Sequence, residues 1–458
     1  MAIRDSVGLT EDQRALRDTV RDFLAAHFPS AARHRILDTG SGYDPKLHAR
    51  LAGELGLAGL TVPEKFGGRG LGPVEACVVH IELGRALYPG PFLPSGVAAG
   101  VLLEAGDRAV AERWLPLLAD GSVTATIAAA DKDGRWSSGP GSVRAHLTPH
   151  GWRLYGSCWY VIAARLASIV VVSARAGSVP AMFLVEAGAA GFRPSTQPGL
   201  DATRRVGVTA FDATPAVLLR QGEHAQAALD RAEREFLLAT AAEAVGGIEW
   251  CLDAAVAFPQ ERERFGRPAV TIQKVAHACV EMLAAFQGAE AAARYAAAEV
   301  AADAADAPAA ALVAGLQAGQ AYREVTEAAT GLFTREHDAD LYYRRAWSAE
   351  RLSGGPQAHR AALADLAARP GPALLRRALV RRALEPDAGG DRQPRITDQP
   401  GIPGRTQAAE IRGTPAGLVD LGVPAVQAQP RPVAELRPAR ILRGHRSPPQ
   451  LPDISQAK

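Results

Sequence analysis

The segment from Leu237 to Phe286 constrains the fold more than any other part of the sequence, because it predicts two long helices joined by a charged turn. In the first helix, Ile248, Leu252 and Val256 recur at helical spacing and form one apolar stripe. The second helix repeats the pattern with Val275, Cys279, Met282 and Phe286. The segment therefore predicts two packed helices of a bundle.

The turn between these helices concentrates positive charge. Gly266 and Pro268 interrupt the helical pattern, and Arg262, Arg264 and Arg267 surround the break. Two interpretations stay open at this point. The arginines form either a solvated turn between core helices or an anion site in which guanidinium groups bind a phosphate through paired hydrogen bonds.

Length and composition limit the class of protein. A chain of 458 residues predicts two or three domains, and a net charge of +2 gives no reason to expect nucleic acid or an acidic membrane as a partner. The four cysteines are scattered without metal-ligand spacing, which favours a reducing compartment and no metal site. No signal peptide or membrane span is predicted, so we expect a cytoplasmic protein.

The secondary-structure pattern changes three times along the chain. Residues 1–120 predict an N-terminal helical domain, 121–225 a domain of short strands forming a small antiparallel barrel or sandwich, and 226–368 a C-terminal helical bundle. The fold class is therefore α+β. Residues 369–458 are rich in proline and arginine and predict a disordered tail, which is either an appended segment or the product of a shifted reading frame.

Two helix starts are legible in the first domain. Thr10 with Gln13 three residues later predicts an N-cap with a capping box, and Asp44-Pro45 predicts the start of a second helix. A glycine-rich loop follows at 57–72, and a helix is predicted from Val74 to Leu87.

The charged turn resembles the central helices of the acyl-CoA dehydrogenase family. The family pattern R-x-x-F-G-[RK]-P followed by Gln is present as Arg262, Phe265, Gly266-Arg-Pro268 and Gln273. Residues 57–95 are similar to the family's glycine-rich loop and the helix after it. The resemblance implies that Arg262 and Gln273 reach the FAD of a neighbouring subunit and that Phe265 packs against this cofactor.

Two further segments carry the resemblance. The run from Leu154 to Val161 is similar to a family strand pair whose aromatic residue lies near the flavin, which makes Trp159 a candidate flavin neighbour. The segment from Thr330 to Ala346 resembles another family motif, in which Gly331 stands for paired glycines beside the FAD. The family's Thr-Glu loop is not legible at Thr126–Asp131.

The catalytic base of the family is a glutamate that removes the α-proton of an acyl thioester. Counting from Arg344, the usual position falls on Ser353, which cannot act as that base. Some members carry the glutamate on the helix before the charged turn, where counting back from Phe265 gives Phe236. Glu235 is adjacent, but one residue rotates a helical side chain by about 100°. The base therefore stays unassigned, with Glu235 as a candidate and a solvated helix-face carboxylate as its alternative.

The resemblance implies FAD-dependent introduction of an α,β double bond into an acyl-CoA, with electrons passed to an electron-transfer flavoprotein. It also implies a homo- or hetero-oligomer, such as a dimer of dimers. The missing base leaves two alternatives open: a non-catalytic partner subunit of a heteromeric dehydrogenase, or a flavin-dependent monooxygenase on the same fold.

Overall fold

The computed structural model describes residues 8–105, 107–136, 143–261, 263–264, 267–268, 273–332, 338–352 and 354–368. Its N-terminal part is helical. The elements are α1 (Glu11–His27), α2 (Ser30–Leu37), α3 (Pro45–Glu54), a short 3-10 helix (Glu64–Phe66), α4 (Pro73–Arg85), α5 (Phe92–Ala105) and α6 (Arg108–Ala119). The predicted tail, 369–458, lies outside the described residues.

Local sequence determines where the first helices begin. The Thr10 hydroxyl accepts a hydrogen bond from the Gln13 amide, and the Gln13 side chain accepts one from the Thr10 amide, so the predicted capping box is confirmed. Asp44 caps α3 through the amides of Lys46 and Leu47, and Pro45 occupies the first turn. Both predicted helix starts are therefore correct.

The central part is a β-barrel. Its strands are β1 (Ala125–Ala128), β2 (Val143–Thr148), β3 (Gly151–Ile162), β4 (Ile169–Ala176), β5 (Val179–Glu186), β6 (Phe192–Thr196) and β7 (Val206–Gln221). The pairings β2–β3, β3–β7, β7–β5, β5–β4 and β4–β2 close into a ring. The expectation of a wholly antiparallel barrel is wrong for two pairs, because β4 runs parallel to both β1 and β2.

The C-terminal part is a bundle around one long helix. It contains α7 (Glu223–Glu261), α8 (Gln273–Ala301), α9 (Ala307–Leu332), α10 (Ala339–Ala349) and α11 (Gly355–Ala368). Between α7 and α8, the two-residue strands β8 (Glu263–Arg264) and β9 (Arg267–Pro268) pair antiparallel. Helices therefore lie on both sides of a central barrel in the chain, which confirms the α+β fold class; the exact domain boundaries stay a prediction.

Two glycines let α4 and α7 pack closely. A Cβ atom on Gly84 would lie 2.1 Å from the carbonyl oxygen of Glu243, and one on Gly246 would lie 1.8 Å from that of Ile81. No side chain fits at such distances, so the two backbones can touch only where glycine stands. This contact joins the N-terminal helices to the bundle.

A buried ionic network connects α7, α10 and the segment between β6 and β7. Arg345 on α10 forms ion pairs with Asp201 at 2.7 Å and with Glu243 on α7 at 3.1 Å, and it donates to the Thr203 hydroxyl at 2.9 Å. Arg204 is also paired with Glu243. Burial alone would raise the pKa of Glu243, but the neighbouring cations outweigh burial and lower its pKa to about 2.

A histidine of α3 is buried in the N-terminal part. His48 is 4% exposed, and its Nδ1 lies 3.0 Å from the hydroxyl of Tyr88. Burial lowers the pKa of His48 from 6.5 to about 4, because the charged ring would lose its hydration. The imidazole is therefore neutral in the folded protein at neutral pH.

Replacing Arg345 by alanine should lower the free energy of unfolding by about 3–5 kcal/mol, since it leaves Asp201 buried without its ion-pair partner and Glu243 with Arg204 alone. Arg344 is the matched control. It is half exposed and pairs with Asp340 one turn away, so Arg344→Ala should cost no more than about 0.5 kcal/mol. Urea denaturation of the two variants measures the difference. Equal losses would contradict the structural role of the network.

The burial of neutral His48 predicts a pH dependence of stability. Because the folded pKa is depressed, the unfolded chain binds the extra proton between pH 6.5 and 4, and the free energy of unfolding falls on acidification. The total loss is about 3 kcal/mol, at roughly 1.4 kcal/mol per pH unit. His48→Gln should remove this component. If the difference in free energy of unfolding between the wild type and His48→Gln stays constant from pH 7 to pH 4, the pH-dependent contribution of His48 is refuted.

Candidate functional site

The residues predicted to contact FAD fall into three groups. Arg262 and Phe265 lie outside the described residues. Gln273 is the first residue of α8 and is exposed, and Gly331 lies exposed near the end of α9, with no heavy atom within 4 Å of the Cβ position. Trp159 lies on β3 and lines a cavity. The structure therefore places Trp159 beside a cavity, and leaves Gln273 and Gly331 on the surface of the single chain.

The cavity beside Trp159 is small and aromatic, with a volume of about 10 Å³, the space of about one water molecule. The indole of Trp159 is 42% exposed, and its backbone N–H donates to the carbonyl of Ala130 at 3.0 Å. Trp136 lies against Phe236 with a 4.9 Å centroid separation. Ala129 and Ala130 complete one wall with small side chains. The result is an aromatic recess at the junction of the barrel and α7.

The segment that stands for the family's Thr-Glu loop borders this recess without offering a carboxylate to it. Thr126 is buried and its hydroxyl donates to the carbonyl of Ile162 at 2.7 Å. Asp131 uses its carboxylate to accept hydrogen bonds from the amides of Asp133 and Arg135, as in an Asx turn. The side-chain chemistry at this loop is therefore structural.

Phe236, at the position where some family members carry the catalytic glutamate, is part of the aromatic recess. Phe236 is 3% exposed and fills the space between α7 and Trp136. Ser353, at the usual position of the base, lies outside the described residues. Among the residues that the structure describes, neither of these two positions supplies a carboxylate for the reaction.

A second, larger cavity lies on the other side of the same helices. It has a volume of about 170 Å³, and most of its lining is apolar, from α4, α5, α7 and the segment 57–61. Leu93 and Glu235 line this cavity, whereas the next residues, Pro94 and Phe236, line the aromatic recess. Consecutive residues of α5 and α7 therefore separate the two cavities.

Glu235 is a carboxylate on the wall of the larger cavity. Arg231 donates to its Oε1 at 3.0 Å, and its Oε2 lies 2.6 Å from the Cβ position of Gly100 on α5. Burial raises the pKa of Glu235, and the Arg231 guanidinium opposes part of that rise. The group is thus a partly buried carboxylate with one oxygen held by an arginine and the other directed toward α5.

Two histidines line the same cavity, and sequence reasoning identified neither. His48 comes from α3, and His80 from α4, where its Nδ1 lies 3.6 Å from Glu243 in the ionic network. His80 stands within an apolar stretch of α4, and His48 lies next to Leu47 and one turn before Leu51 in α3, which are the positions of core residues. Only the lengths of α3 and α4 and their packing bring the two rings to one cavity.

Metal-binding and membrane-spanning features are absent from the described ranges. Among these residues no group of three histidine, cysteine, aspartate or glutamate side chains is positioned to hold a metal ion. None of the helices that the structure describes combines the length and the apolar character that crossing a membrane requires.

Family models match both helical parts of the chain. The N-terminal domain of acyl-CoA dehydrogenases matches residues 10–122, and the C-terminal domain matches residues 234–367. The acyl-CoA dehydrogenase IpdE2 of Mycobacterium tuberculosis is 30% identical over 356 residues, which cover 76% of this chain and 94% of that protein.

Solved structures show the same likeness. A structure described as a variant of the Tcur3481-Tcur3483 steroid ACAD is 28% identical, with a TM-score of 0.71, over 78% of this chain and 98% of the other. The ChsE4-ChsE5 complex from Mycobacterium tuberculosis contains a chain that is 25% identical, with a TM-score of 0.72, over 79% of this chain and 99% of the other. With both family domains matched and nearly the whole length of its relatives covered, this chain belongs to the acyl-CoA dehydrogenase family.

Proposed function

We propose that this chain is an FAD-dependent dehydrogenase that introduces an α,β double bond into an acyl-CoA thioester. The observation that supports the proposal most is the position of Glu235, on the wall of a large apolar cavity and next to the residue that borders the aromatic recess. An acyl chain requires an apolar cavity such as the larger one, and a flavin requires an aromatic and sterically open surface. The reaction requires a carboxylate between the two.

The exposed surface of Trp159 is where a flavin ring would lie. Trp159 leaves 42% of its surface open at the edge of the aromatic recess, so a planar group can approach its indole from outside. When bound, FAD supplies the oxidant that accepts a hydride from the acyl β-carbon. The residues of this chain that would contact its ring system are Trp159 and the backbone near Ala130.

The proposal places Arg262, Phe265, Gln273 and Gly331 at the FAD of a neighbouring subunit. The exposure of Gln273 at the start of α8 and of Gly331 near the end of α9 is consistent with that role, because both are accessible to a second chain. The proposed assembly is a dimer of dimers, and the proposed electron acceptor is an electron-transfer flavoprotein.

Glu235 is the proposed general base. Arg231 fixes one carboxylate oxygen and leaves the other toward the cavity wall at Gly100. A carboxylate whose pKa is raised by burial holds a proton more readily near neutral pH, which is what removal of an α-proton requires. In this proposal the α-proton of the thioester passes to Glu235 while the hydride leaves the β-carbon.

A supporting subunit is the second candidate. It is favoured by Phe236, which occupies the slot where some family members carry the glutamate, and by the 25% identity to a chain of the ChsE4-ChsE5 complex. In that case a sister chain would supply the base, and Gln273 with Arg262 would serve the FAD held there. No observation on the described residues favours the monooxygenase alternative.

Glu235→Gln should slow flavin reduction by about 10²- to 10⁴-fold, because the amide cannot accept the α-proton. The measurement is anaerobic stopped-flow bleaching of the FAD-loaded protein by a panel of acyl-CoA thioesters. Glu233→Gln is the matched control, since Glu233 is on the same helix, has a pKa raised to about 7 by burial and does not line the cavity. Full activity of Glu235→Gln, or an equal loss in the control, would remove Glu235 from the mechanism.

Gly100→Ala should reduce the rate of flavin reduction by displacing the Glu235 carboxylate. The added methyl would lie 2.6 Å from Oε2, and the flexible side chain is what must move. A displacement of about 1 Å lowers such rates by roughly 10²-fold. Gly96→Ala adds the same methyl to the same helix where no heavy atom lies within 4 Å, so its loss should be much smaller. Equal effects of the two substitutions would contradict the proposed contact.

A further inference from the structure

His48 is a polar group in a cavity that is otherwise mostly apolar. Its ring lines the large cavity, together with Leu57, Leu60 and Leu71. Its side chain is 4% exposed, so bulk solvent does not hydrate it freely. An imidazole in such surroundings requires hydrogen-bond partners for both ring nitrogens, because an unpaired buried polar atom is costly.

Only one of the two ring nitrogens has a partner among the residues that the structure describes. Nδ1 lies 3.0 Å from the hydroxyl of Tyr88, a residue that is outside the cavity lining. Within the same part of the chain, Nε2 has no hydrogen-bond partner. It is also not one of the fully enclosed atoms that lack a partner, so it keeps accessible surface. Nε2 is thus the nitrogen available to a molecule in the cavity.

The ring is held in place and neutral. The contact with Tyr88 and the neighbouring ring of Tyr43, 5.7 Å away between centroids, limit its rotation. Burial lowers the pKa of His48 to about 4. A neutral imidazole presents either an N–H or a bare nitrogen at Nε2, depending on the tautomer. A hydroxyl oxygen can pair with both forms, and a carbonyl oxygen can pair with the N–H form.

The wall of the cavity is mostly apolar, and the glycines Gly96 and Gly100 remove two side chains from its α5 face. An acyl group without an oxygen substituent would leave Nε2 without a partner. An acyl group with a hydroxyl or carbonyl oxygen would supply one.

We propose that His48 is a specificity-determining residue that selects acyl-CoA thioesters whose acyl group carries a hydroxyl or carbonyl oxygen. The inference rests on the proposed function, since it assigns the large cavity to the acyl group. Tyr88 acts as a positioning residue, because it fixes the ring through Nδ1 and does not line the cavity. His48 takes no part in the removal of the proton.

The test compares two thioesters with one carbon skeleton: 3-(4-hydroxycyclohexyl)propanoyl-CoA and 3-cyclohexylpropanoyl-CoA. Dissociation constants are measured by calorimetry on the FAD-loaded protein, and flavin bleaching is followed separately. The wild type should prefer the hydroxylated thioester by about 5- to 10-fold, the effect of one neutral hydrogen bond. His48→Phe should bring the ratio of the two dissociation constants close to one.

Two further variants separate hydrogen bonding from shape. His48→Gln keeps a polar side chain and should retain part of the preference. Tyr88→Phe removes the partner of Nδ1 but leaves Nε2, so a preference should remain and be weaker than in the wild type. Thermal denaturation of each variant confirms that it is folded, and the His48→Gln protein replaces His48→Phe if the latter does not fold.

The outcomes distinguish the inference from the proposed function. If both thioesters bind and bleach the flavin, and the ratio is the same in the wild type and in His48→Phe, only the role of His48 is overturned. If neither thioester binds, the assignment of the cavity to an acyl group fails, and the inference fails with it. A hydroxyl preference that disappears in His48→Phe and survives partly in His48→Gln supports the inference.

Discussion

The pairing of Arg345 with Asp201 and Glu243 is the interaction on which the arrangement of the three parts of the chain depends. It joins α10, the segment between β6 and β7, and α7 in one buried cluster, and Arg204 adds a second cation to Glu243. Because each ion is removed from water, the cluster is stable only while all its members are in place. His80 on α4 reaches the same carboxylate, so the N-terminal helices are held to it as well.

The position of α7 then determines the site. The close contact of α4 and α7 at Gly84 and Gly246 holds these two helices together, and neighbouring residues of α7 line the two cavities. Glu235 and Phe236 differ by one step along the helix, which is enough to direct one side chain to the large cavity and the other to the aromatic recess. The chemistry proposed for this chain depends on that separation.

Local signals predicted much of the fold. The Thr10 cap, the Asp44-Pro45 start and the buried Ile248 and Leu252 of the α7 stripe were correct because each depends on residues within a few positions of one another. The stripe was wrong at Val256, which is exposed. Strands β2 and β6 carry weak local signals, because β2 is a short run with charged and polar residues and β6 contains a proline. The parallel pairing of β4 with β1 and β2 joins strands that are distant in sequence, so no local sequence pattern predicts it.

The candidate site was less predictable. Family spacing led to Trp159, which lines the recess, and to the helix that carries Glu235, but counting residues does not tell which side of a helix faces a cavity. His48 gave no signal, because a histidine in an apolar stripe has the pattern of a core residue. The partners of Arg345 come from distant segments, and only the packed structure brings these charges together.

The most direct test of the central claim is to measure the FAD bound per protomer in the full chain expressed alone, and then to add acyl-CoA thioesters without oxygen. The account predicts close to one FAD per protomer and bleaching by at least one thioester. Absence of bound FAD, with flavin and activity restored only by a co-expressed sister chain, would contradict it and assign this chain a supporting role.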